Sequence, residues 1–544
     1  MKFRHINTFR LGIIALTATC SLAGCDSQLD IIPKGQSTLG TVTDLEMLFN
    51  QSYDLGVPYN DIGIICNESL GQGENVPLKL SQKSTLSYAL LAYDESVDRA
   101  NLTLTDDRYG NAYKYINYMN TIIEKMPEAA GDESKKEALI AEAHVMRAYL
   151  HWILVNIYAR QYDAATADTD GGIAYVTDLN VTEIKKKATV AEVYDKILAD
   201  CSDTYINALP VTHSDVLRGD QAWGNAVRAK VLMQMKRYAD ALPYAKKALD
   251  LNGTIEDRSG TVDAGDWILT KQAGSNYIYF GTMVAPFTEV ISPETVARFE
   301  RGDYVKDYAF LFGMKPGEGG DDDDDDDAEE WDAKAMLLKA KDVINGIKAK
   351  RKSDAQDTDI TDETGQTDDE IGDEGDEYVA PNAANPAWSE LFGMMNSGVI
   401  GAAQYYSINA NVNCYGITSD RMYYTLAECL IRTGKTDEGL ELVNQVRRCR
   451  ISPDQYAPLT ASTETEAMEQ LQRSKWIECL CTYENFFDCK RWNSEEKYRR
   501  TITRTIMDME GNISTFEIAP DSKLWILPFP LNVTRKNPTL TQNY

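Results

Sequence analysis

Two stretches of the chain share a helix–turn–helix pattern, and this repeat limits the possible fold more than any other feature. The copies cover residues 222–249 and 424–446. Four aligned pairs carry the match: Ala229 with Ala427, Leu232 with Leu430, Lys236 with Gly434, and Leu242 with Leu440. Small residues, Ala241 and Gly439, fall where the paired helices must pack closely. Such hairpins are typical of tetratricopeptide repeats, which need about three repeats to bury a continuous core.

Further periodic segments supply the remaining hairpins. Apolar spacing predicts helices over residues 107–126, 134–158, 189–208 and 465–492. We expect Ser134 and Glu137 to form a capping box, and a short helix over 42–49 to be capped by Thr43 or Asp44. The 134–158 helix is apolar on most sides and should be central. The sequence therefore predicts a mainly α, tetratricopeptide-like helical-hairpin scaffold, interrupted by long irregular insertions that carry short strands.

The insertions define the predicted organisation of the chain. Residues 107–253 and 419–492 form the scaffold, and residues 254–418 form an inserted ligand-binding region with short strands in 254–316. Within it, residues 321–377 are low in complexity and strongly acidic. Dense like charges oppose collapse, so we expect disorder there around one short helix near 332–350.

The N-terminus carries an export signal. Three cations lie in the first ten residues, and the apolar run that follows, residues 11–18, is shorter than the roughly 20 residues of a membrane-spanning helix. Leu22-Ala23-Gly24-Cys25 then resembles the bacterial lipoprotein signal. The resemblance implies that residues 1–24 are removed and that Cys25 is acylated, leaving residues 25–544 anchored by lipid. The alternative is a non-lipidated signal that is cut nearby.

Charge and cysteine content exclude several classes of function. The chain has 55 Lys and Arg against 84 Asp and Glu, a net charge of −29. This field repels nucleic acid and anionic lipid, so neither is an expected partner. An exported location permits disulfides. However, Cys429, Cys479 and Cys489 fall in helical patterns and are predicted to be core residues, and the absence of a CxxC pair argues against zinc.

Short motifs along the chain resemble the SusD/RagB family of outer-membrane nutrient-binding lipoproteins. In chain order they are Leu29-Asp30, Pro33-Lys34-Gly35, Glu142-Ala143, Arg147-Ala148-Tyr149, Gly171-Gly172-Ile173, Ala427-Glu428, Gly434, Asn444, Arg447, Trp476-Ile477-Glu478, Glu484 to Asp488, Lys490-Arg491-Trp492, Ile526 to Pro530, Asn537-Pro538 and Gln542-Asn543. Three departures are Ala174, where the family has proline, Tyr109, where related chains often carry tryptophan, and the acidic insert. The resemblance implies a tetratricopeptide-like scaffold with an irregular ligand-binding face.

The same resemblance implies a function. Members of the family are lipid-anchored in the outer membrane and exposed at the cell surface. They bind nutrients, usually glycans or oligosaccharides, and deliver them to a SusC-like TonB-dependent transporter without chemical conversion. The expected partners are therefore a glycan ligand, the outer membrane and a SusC-like transporter.

Sugar capture needs flat aromatic faces and planar polar groups, which are best placed on insertions. Tyr93 and Asn101 are candidates in the first loop region, residues 52–105. The candidates in the large insertion are Trp267, Tyr277, Tyr279, Trp331, Trp388, Tyr405 and Tyr406. Since the chain has 30 tyrosines, most of them must serve packing or the surface.

No cofactor is expected. Calcium binding at Asp373 and Asp376 is an alternative to a simple solvated acidic loop. His144 and His151 are expected to pack between helices or to face solvent rather than to bind a metal. Three other functions fit the same chain: peptide binding by this architecture, glycoside hydrolysis at the surface, and protein adhesion through the helical repeats.

Overall fold

A computed structural model describes residues 39–259 apart from 52, 59, 73, 74 and 214, and also residues 277–279, 287–306, 397–407 and 413–544. Several predictions fall outside these described residues. They are the signal peptide with Cys25, the acidic tract 321–377 with its helix near 332–350, the calcium candidates Asp373 and Asp376, and the ligand candidates Trp267, Trp331 and Trp388.

Helices dominate the described structure. Those before the large insertion are α1 (Val42–Glu46), α2 (Ile62–Ile65), α3 (Val76–Ser81), α4 (Leu86–Leu91), α5 (Arg99–Leu102), α6 (Asp107–Lys125), α7 (Glu133–Tyr158), α8 (Val190–Asp200), α9 (Asp203–Ala208), α10 (Gln221–Gln234) and α11 (Tyr238–Leu251). Those within or after it are α12 (Pro293–Val296), α13 (Ser419–Arg432), α14 (Thr436–Arg448), α15 (Glu464–Glu478), α16 (Glu484–Asn493) and α17 (Leu531–Thr534).

The two repeat copies form two matching hairpins, α10–α11 and α13–α14. At the turn, the aligned residues Lys236 and Gly434 both adopt left-handed φ values, +61° and +85°. At Gly439 an added Cβ would lie 2.6 Å from Ile431 Cγ1 and 2.7 Å from the Ala427 carbonyl oxygen. Close helix packing therefore requires glycine at position 439, where the repeat predicted a small residue. Helix α11 packs directly on α13, so hairpins that are distant in sequence are neighbours in space.

Helix α7 is the centre of the scaffold, and every residue from Val145 to Tyr158 is buried. His151 is fully buried, and its ring stacks on Tyr175 with centroids 3.8 Å apart. Burial lowers the pKa of His151 to about 3, so the ring is neutral. His144 contacts Asp200, 2.8 Å away. Both histidines therefore serve packing, as predicted.

Buried ion pairs join the last two hairpins. The Arg491 guanidinium lies 2.6 Å from Glu428 Oε1 and 2.7 Å from Asp488 Oδ1, and the Lys475 ammonium lies 2.6 Å from Asp488 Oδ2. The side chains of Arg491 and Glu428 are completely inaccessible to solvent. Because these residues belong to three different helices, the pairs fix how α13, α15 and α16 dock.

Some predicted boundaries are wrong. Thr41, not Thr43 or Asp44, caps α1, while Asp44 completes its capping box. Asp132 rather than Ser134 caps α7. The predicted helix 189–208 divides at Cys201, and the predicted helix 465–492 divides into α15 and α16, where Cys481 takes a left-handed φ of +62°. Such breaks interrupt the apolar pattern over only a few residues, so the spacing of apolar residues does not reveal them.

Short strands appear in the large insertion, as expected. Strands β1 (Ser69–Gln72), β3 (Phe287–Ile291) and β4 (Ala403–Ser407) form an antiparallel sheet in the order β1-β3-β4. Strand β2 (Tyr277–Tyr279) pairs with β5 (Ile417–Thr418), and β6 (Ile502–Met507) pairs with β7 (Ile513–Ile518).

Cysteines and membrane spans complete the description. The eight cysteines in the described part of the chain are thiols and not disulfides, and Cys429, Cys479 and Cys489 are buried as predicted. Among the helices described, none is both long and apolar enough to cross a bilayer.

Candidate functional site

The structure joins the two segments that the sequence predicted to bind ligand. Strand β1 belongs to the first loop region, whereas β3 and β4 belong to the large insertion. Glu289 of β3 lies between Gln72 of β1 and Tyr405 of β4. Since neighbouring strands lie about 4.8 Å apart, Tyr405 and Tyr406 are about 10 Å from β1. Tyr277 and Tyr279 belong to the separate two-stranded sheet β2-β5, where they pair with Thr418 and Ile417.

Tyr93 does not offer a face for stacking. It is 7 % exposed, its hydroxyl donates to the Ile64 carbonyl oxygen, and the Arg504 guanidinium covers its ring at 4.2 Å. The prediction that Tyr93 binds ligand is therefore wrong, because its neighbours from distant segments bury the ring. Asn101 is exposed on α5, where its side-chain amide hydrogen-bonds to Asp98.

Beside Asn101 the described chain forms a cavity of about 260 Å³, named cavity A. Its aliphatic wall consists of Ile65, Leu86, Leu90, Leu527 and Pro528. Its polar wall consists of Asp61, Arg99, Thr103, Thr105, Asp106, Asp107 and Arg108. Three helices of the first loop region, α2, α4 and α5, and the start of α6 therefore meet the C-terminal segment here.

An ion-pair cluster fixes one side of cavity A. Arg108 contacts the carboxylates of both Asp61 and Asp106. Asp106 also accepts a hydrogen bond from the Tyr158 hydroxyl at 2.6 Å. Burial by itself would lower the pKa of Arg108, but the charges of Asp61 and Asp106 outweigh burial and raise it well above its usual value. These two carboxylates are therefore committed to structure.

Arg99 fixes the opposite side. It is 3 % exposed and donates to the carbonyl oxygens of Ile526 and Lys523, at 3.1 and 2.8 Å. Its guanidinium also lies 4.6 Å from the centre of the Tyr544 ring. Burial lowers the pKa of Arg99, and the nearby Tyr544 and Glu95 partly offset that effect. Arg99 thereby holds the C-terminal segment in place as a wall of the cavity.

Two polar side chains remain available to a ligand. Thr105 and Asp107 are exposed, and within the described part of the chain neither side chain makes a hydrogen bond or an ion pair. The cavity thus offers an aliphatic wall facing a donor and acceptors. The sequence led us to expect an aromatic platform, but none of the described residues that line the cavity is aromatic. The sequence analysis did not identify the polar wall of cavity A. The polar run Thr103 to Arg108 at the start of α6 was the signal that could have indicated it.

Metal chemistry has no support in the described ranges. No group of three or more His, Cys, Asp or Glu side chains there is arranged to hold a metal ion.

A helical-repeat scaffold with a loop-built cavity on one face defines a class of binding-protein architecture. Two family models match this chain in succession. One, SusD-like and described as "Starch-binding associating with outer membrane", matches residues 44–222, and the other, described as "SusD family", matches residues 311–544. The chain belongs to the SusD/RagB family. No curated protein matches the sequence.

Solved structures share the fold. A SusD superfamily protein from Bacteroides thetaiotaomicron is 14 % identical, with a TM-score of 0.59 over 93 % of this chain and 100 % of that one. A SusD-like protein from Bacteroides fragilis is 14 % identical, with a TM-score of 0.58 over 93 % and 98 %. A SusD-like carbohydrate binding protein from Bacteroides vulgatus is 14 % identical, with a TM-score of 0.56 over 93 % and 98 %. At these identities the likeness establishes the tetratricopeptide-like fold.

Proposed function

We propose that this protein is a cell-surface lipoprotein of the outer membrane that binds a glycan or oligosaccharide nutrient. It then delivers the ligand to a SusC-like TonB-dependent transporter. The observation that carries the proposal is cavity A, whose aliphatic wall faces exposed polar groups, on a chain of the SusD/RagB family. Acylation of Cys25 would provide the anchor.

The cavity fits the chemistry of a sugar ring. One face of a pyranose is apolar and would pack on Leu86 and Leu90, while its hydroxyls would bond to Thr105 and Asp107. At about 260 Å³ the cavity is below the roughly 300–1,000 Å³ that is typical of ligand sites. We therefore expect it to hold one end of an oligosaccharide and leave the rest for the large insertion or the transporter.

Binding without conversion is the expected behaviour. A glycosidase needs two available carboxyl groups, one of which acts as a proton donor with a raised pKa. In cavity A, Arg108 occupies Asp61 and Asp106, which leaves Asp107 as the available carboxylate among the residues that line it. This arrangement supports a non-enzymatic role.

The test is calorimetric titration of residues 26–544 with neutral oligosaccharides and with peptides, followed by product analysis. Asp107→Ala combined with Thr105→Ala should weaken sugar binding roughly tenfold or more, because two hydrogen bonds are lost. Asp437→Ala is the matched control, since Asp437 also lies in the first turn of a helix, α14, but not at the cavity. Peptide binding without sugar binding, or sugar turnover, would contradict the proposal.

A further inference from the structure

A second cavity, named cavity B, lies beside cavity A, and the segment 520–528 contributes to the walls of both. Its volume is about 300 Å³. It is bounded by the segment after α7, by the end of α16 and by the C-terminal segment. The side chains that matter here are Arg160, Lys490, Asn493, Arg499, Asp521 and Lys523.

The floor of cavity B contains an unused hydrogen-bond donor. Asn493 is 6 % exposed, and its Oδ1 accepts from the Arg500 backbone N–H at 3.4 Å. Its Nδ2 is buried and has no hydrogen-bond partner in the described structure. Buried amide groups are usually paired, and this one lines a cavity, so its donor is open to an acceptor that enters cavity B.

A buried cation lies beside this donor. The Lys490 ammonium bonds to two carbonyl oxygens, those of Asn156 and Ala159, at 2.5 and 2.7 Å. An ammonium has three N–H donors, and among the described residues no carboxylate pairs with that of Lys490. Burial lowers the pKa of Lys490 to about 7. An anion in the cavity would favour its charged form.

The rim of cavity B adds exposed positive charge. Arg499 and Lys523 are exposed and pair with no carboxylate in the part of the chain described, and Arg160 lies 3.9 Å from Asp170 with its side chain 60 % exposed. Of the three acids in the lining, Asp170 faces Arg160, Asp163 is paired with Lys236 at 2.9 Å, and Asp521 pairs with no cation among the described residues. The balance of unpaired charge is positive, in a chain whose net charge is −29.

We infer that cavity B binds the anionic group of an acidic sugar, either the carboxylate of a uronic acid or a sulfate ester. This inference rests on the proposed glycan-binding function and names the class of glycan. The oxyanion would accept hydrogen bonds from Asn493 Nδ2 and from the guanidinium and ammonium groups of Arg499 and Lys523. Hydrogen bonds to charged groups are stronger than neutral ones, so the site would select acidic over neutral sugars.

The test titrates residues 26–544 with digalacturonate, galactose 6-sulfate and the neutral disaccharide maltose. At least one acidic sugar should bind more tightly than maltose, and its affinity should fall as salt concentration rises. Binding of digalacturonate alone would identify a carboxylate ligand, and binding of galactose 6-sulfate alone would identify a sulfate ester. Acidic sugars that bind no better than maltose would overturn the inference and leave the proposed function intact. If no sugar binds, including the neutral oligosaccharides used for cavity A, both this inference and the proposed function would be overturned.

Variants locate the site. Arg499→Ala with Lys523→Ala should weaken acidic-sugar binding roughly tenfold or more and leave binding of neutral sugars unchanged. Lys246→Ala with Arg448→Ala removes the same two charges from exposed helix surfaces and should have little effect. Equal losses in the two double variants would overturn the inference.

Asn493→Asp provides an independent test, because it keeps the shape of the side chain but places a negative charge at the floor. It should abolish acidic-sugar binding and leave neutral-sugar binding intact. Acidic-sugar binding that survives this change in the folded protein would contradict the assigned role of Nδ2. If the variant does not fold, the Arg499 and Lys523 variant still decides the question.

Discussion

The substitution Arg491→Met should destabilise the protein strongly. The Arg491 side chain is inaccessible to solvent and places two nitrogens at 2.6 and 2.8 Å from the Glu428 oxygens. In the variant, Asp488 would still form its ion pair with Lys475. Glu428, by contrast, would still accept one hydrogen bond, from the neutral indole N–H of Trp492 at 3.0 Å. Removing one partner of a buried ion pair costs about 3–5 kcal/mol, because the remaining charge is buried without compensation.

The assay is urea unfolding followed by circular dichroism. Arg448→Met is the matched control, since Arg448 and Glu441 form an ion pair whose side chains are 46 % and 51 % exposed. Such surface pairs are worth about 0–1 kcal/mol. The double variant Glu428→Gln with Arg491→Met should regain part of the loss, because no unpaired charge remains at position 428.

The sign of the pH dependence gives a second readout. In the native protein burial opposes ionisation of Glu428, but Arg491 outweighs it and holds the pKa of Glu428 below its usual value. Without Arg491, burial would raise that pKa, so the penalty of the variant should increase as pH rises above about 4.5. A penalty within about 1 kcal/mol of the Arg448→Met value, or one independent of pH, would refute the reasoning.

Three further predictions concern the scaffold and the small sheet. Gly439→Ala should lower the unfolding free energy by about 1–3 kcal/mol, because the added Cβ would meet α13. Gly434→Ala, where the added Cβ has open space, should show only the smaller cost of a left-handed φ. Equal costs of the two substitutions would contradict the close packing at Gly439. Burial raises the pKa of Glu289 to about 8, so the folded state binds its proton more tightly than the unfolded state does. Stability should therefore fall as pH rises from about 4.5 to 8, and Glu289→Gln should remove that loss in thermal melts. Burial lowers the pKa of His151 to about 3. The contribution of His151 to folding stability is therefore complete above about pH 6.5 and is lost as pH falls toward 3. A thermal melt of His151→Asn with the same acid sensitivity as the parent protein would argue against this.

Much of the fold could be predicted because its signals are local. The spacing of apolar residues identified α6, α7 and both repeat hairpins within a few residues of their ends, since helix periodicity is fixed by the backbone itself. The small residue at position 439 and the turn at position 434 were also visible in a single hairpin. Cap residues and helix breaks were less visible, because one side-chain hydrogen bond decides them.

The motifs that identified the family have a structural explanation. Glu142, Arg147, Glu428, Glu478 and Arg491 are all buried and paired with charged partners. A buried ion pair tolerates few substitutions, because replacing one partner leaves the charge of the other buried and unpaired. The sequence displayed these residues as motifs, but only the structure showed that they hold the helices together rather than bind ligand.

The ligand face depended on tertiary structure. Arg99 and Ile526 are 427 residues apart, and their hydrogen bond places a wall of cavity A that no sequence window contains. Tyr93 and Arg504 are also remote in sequence, and their contact removes Tyr93 from the surface. By itself the sequence determined the helical scaffold, because helices form through contacts between near neighbours. Only the folded chain decided which polar side chains remain available to a ligand, because burial depends on contacts between segments that are far apart in the sequence.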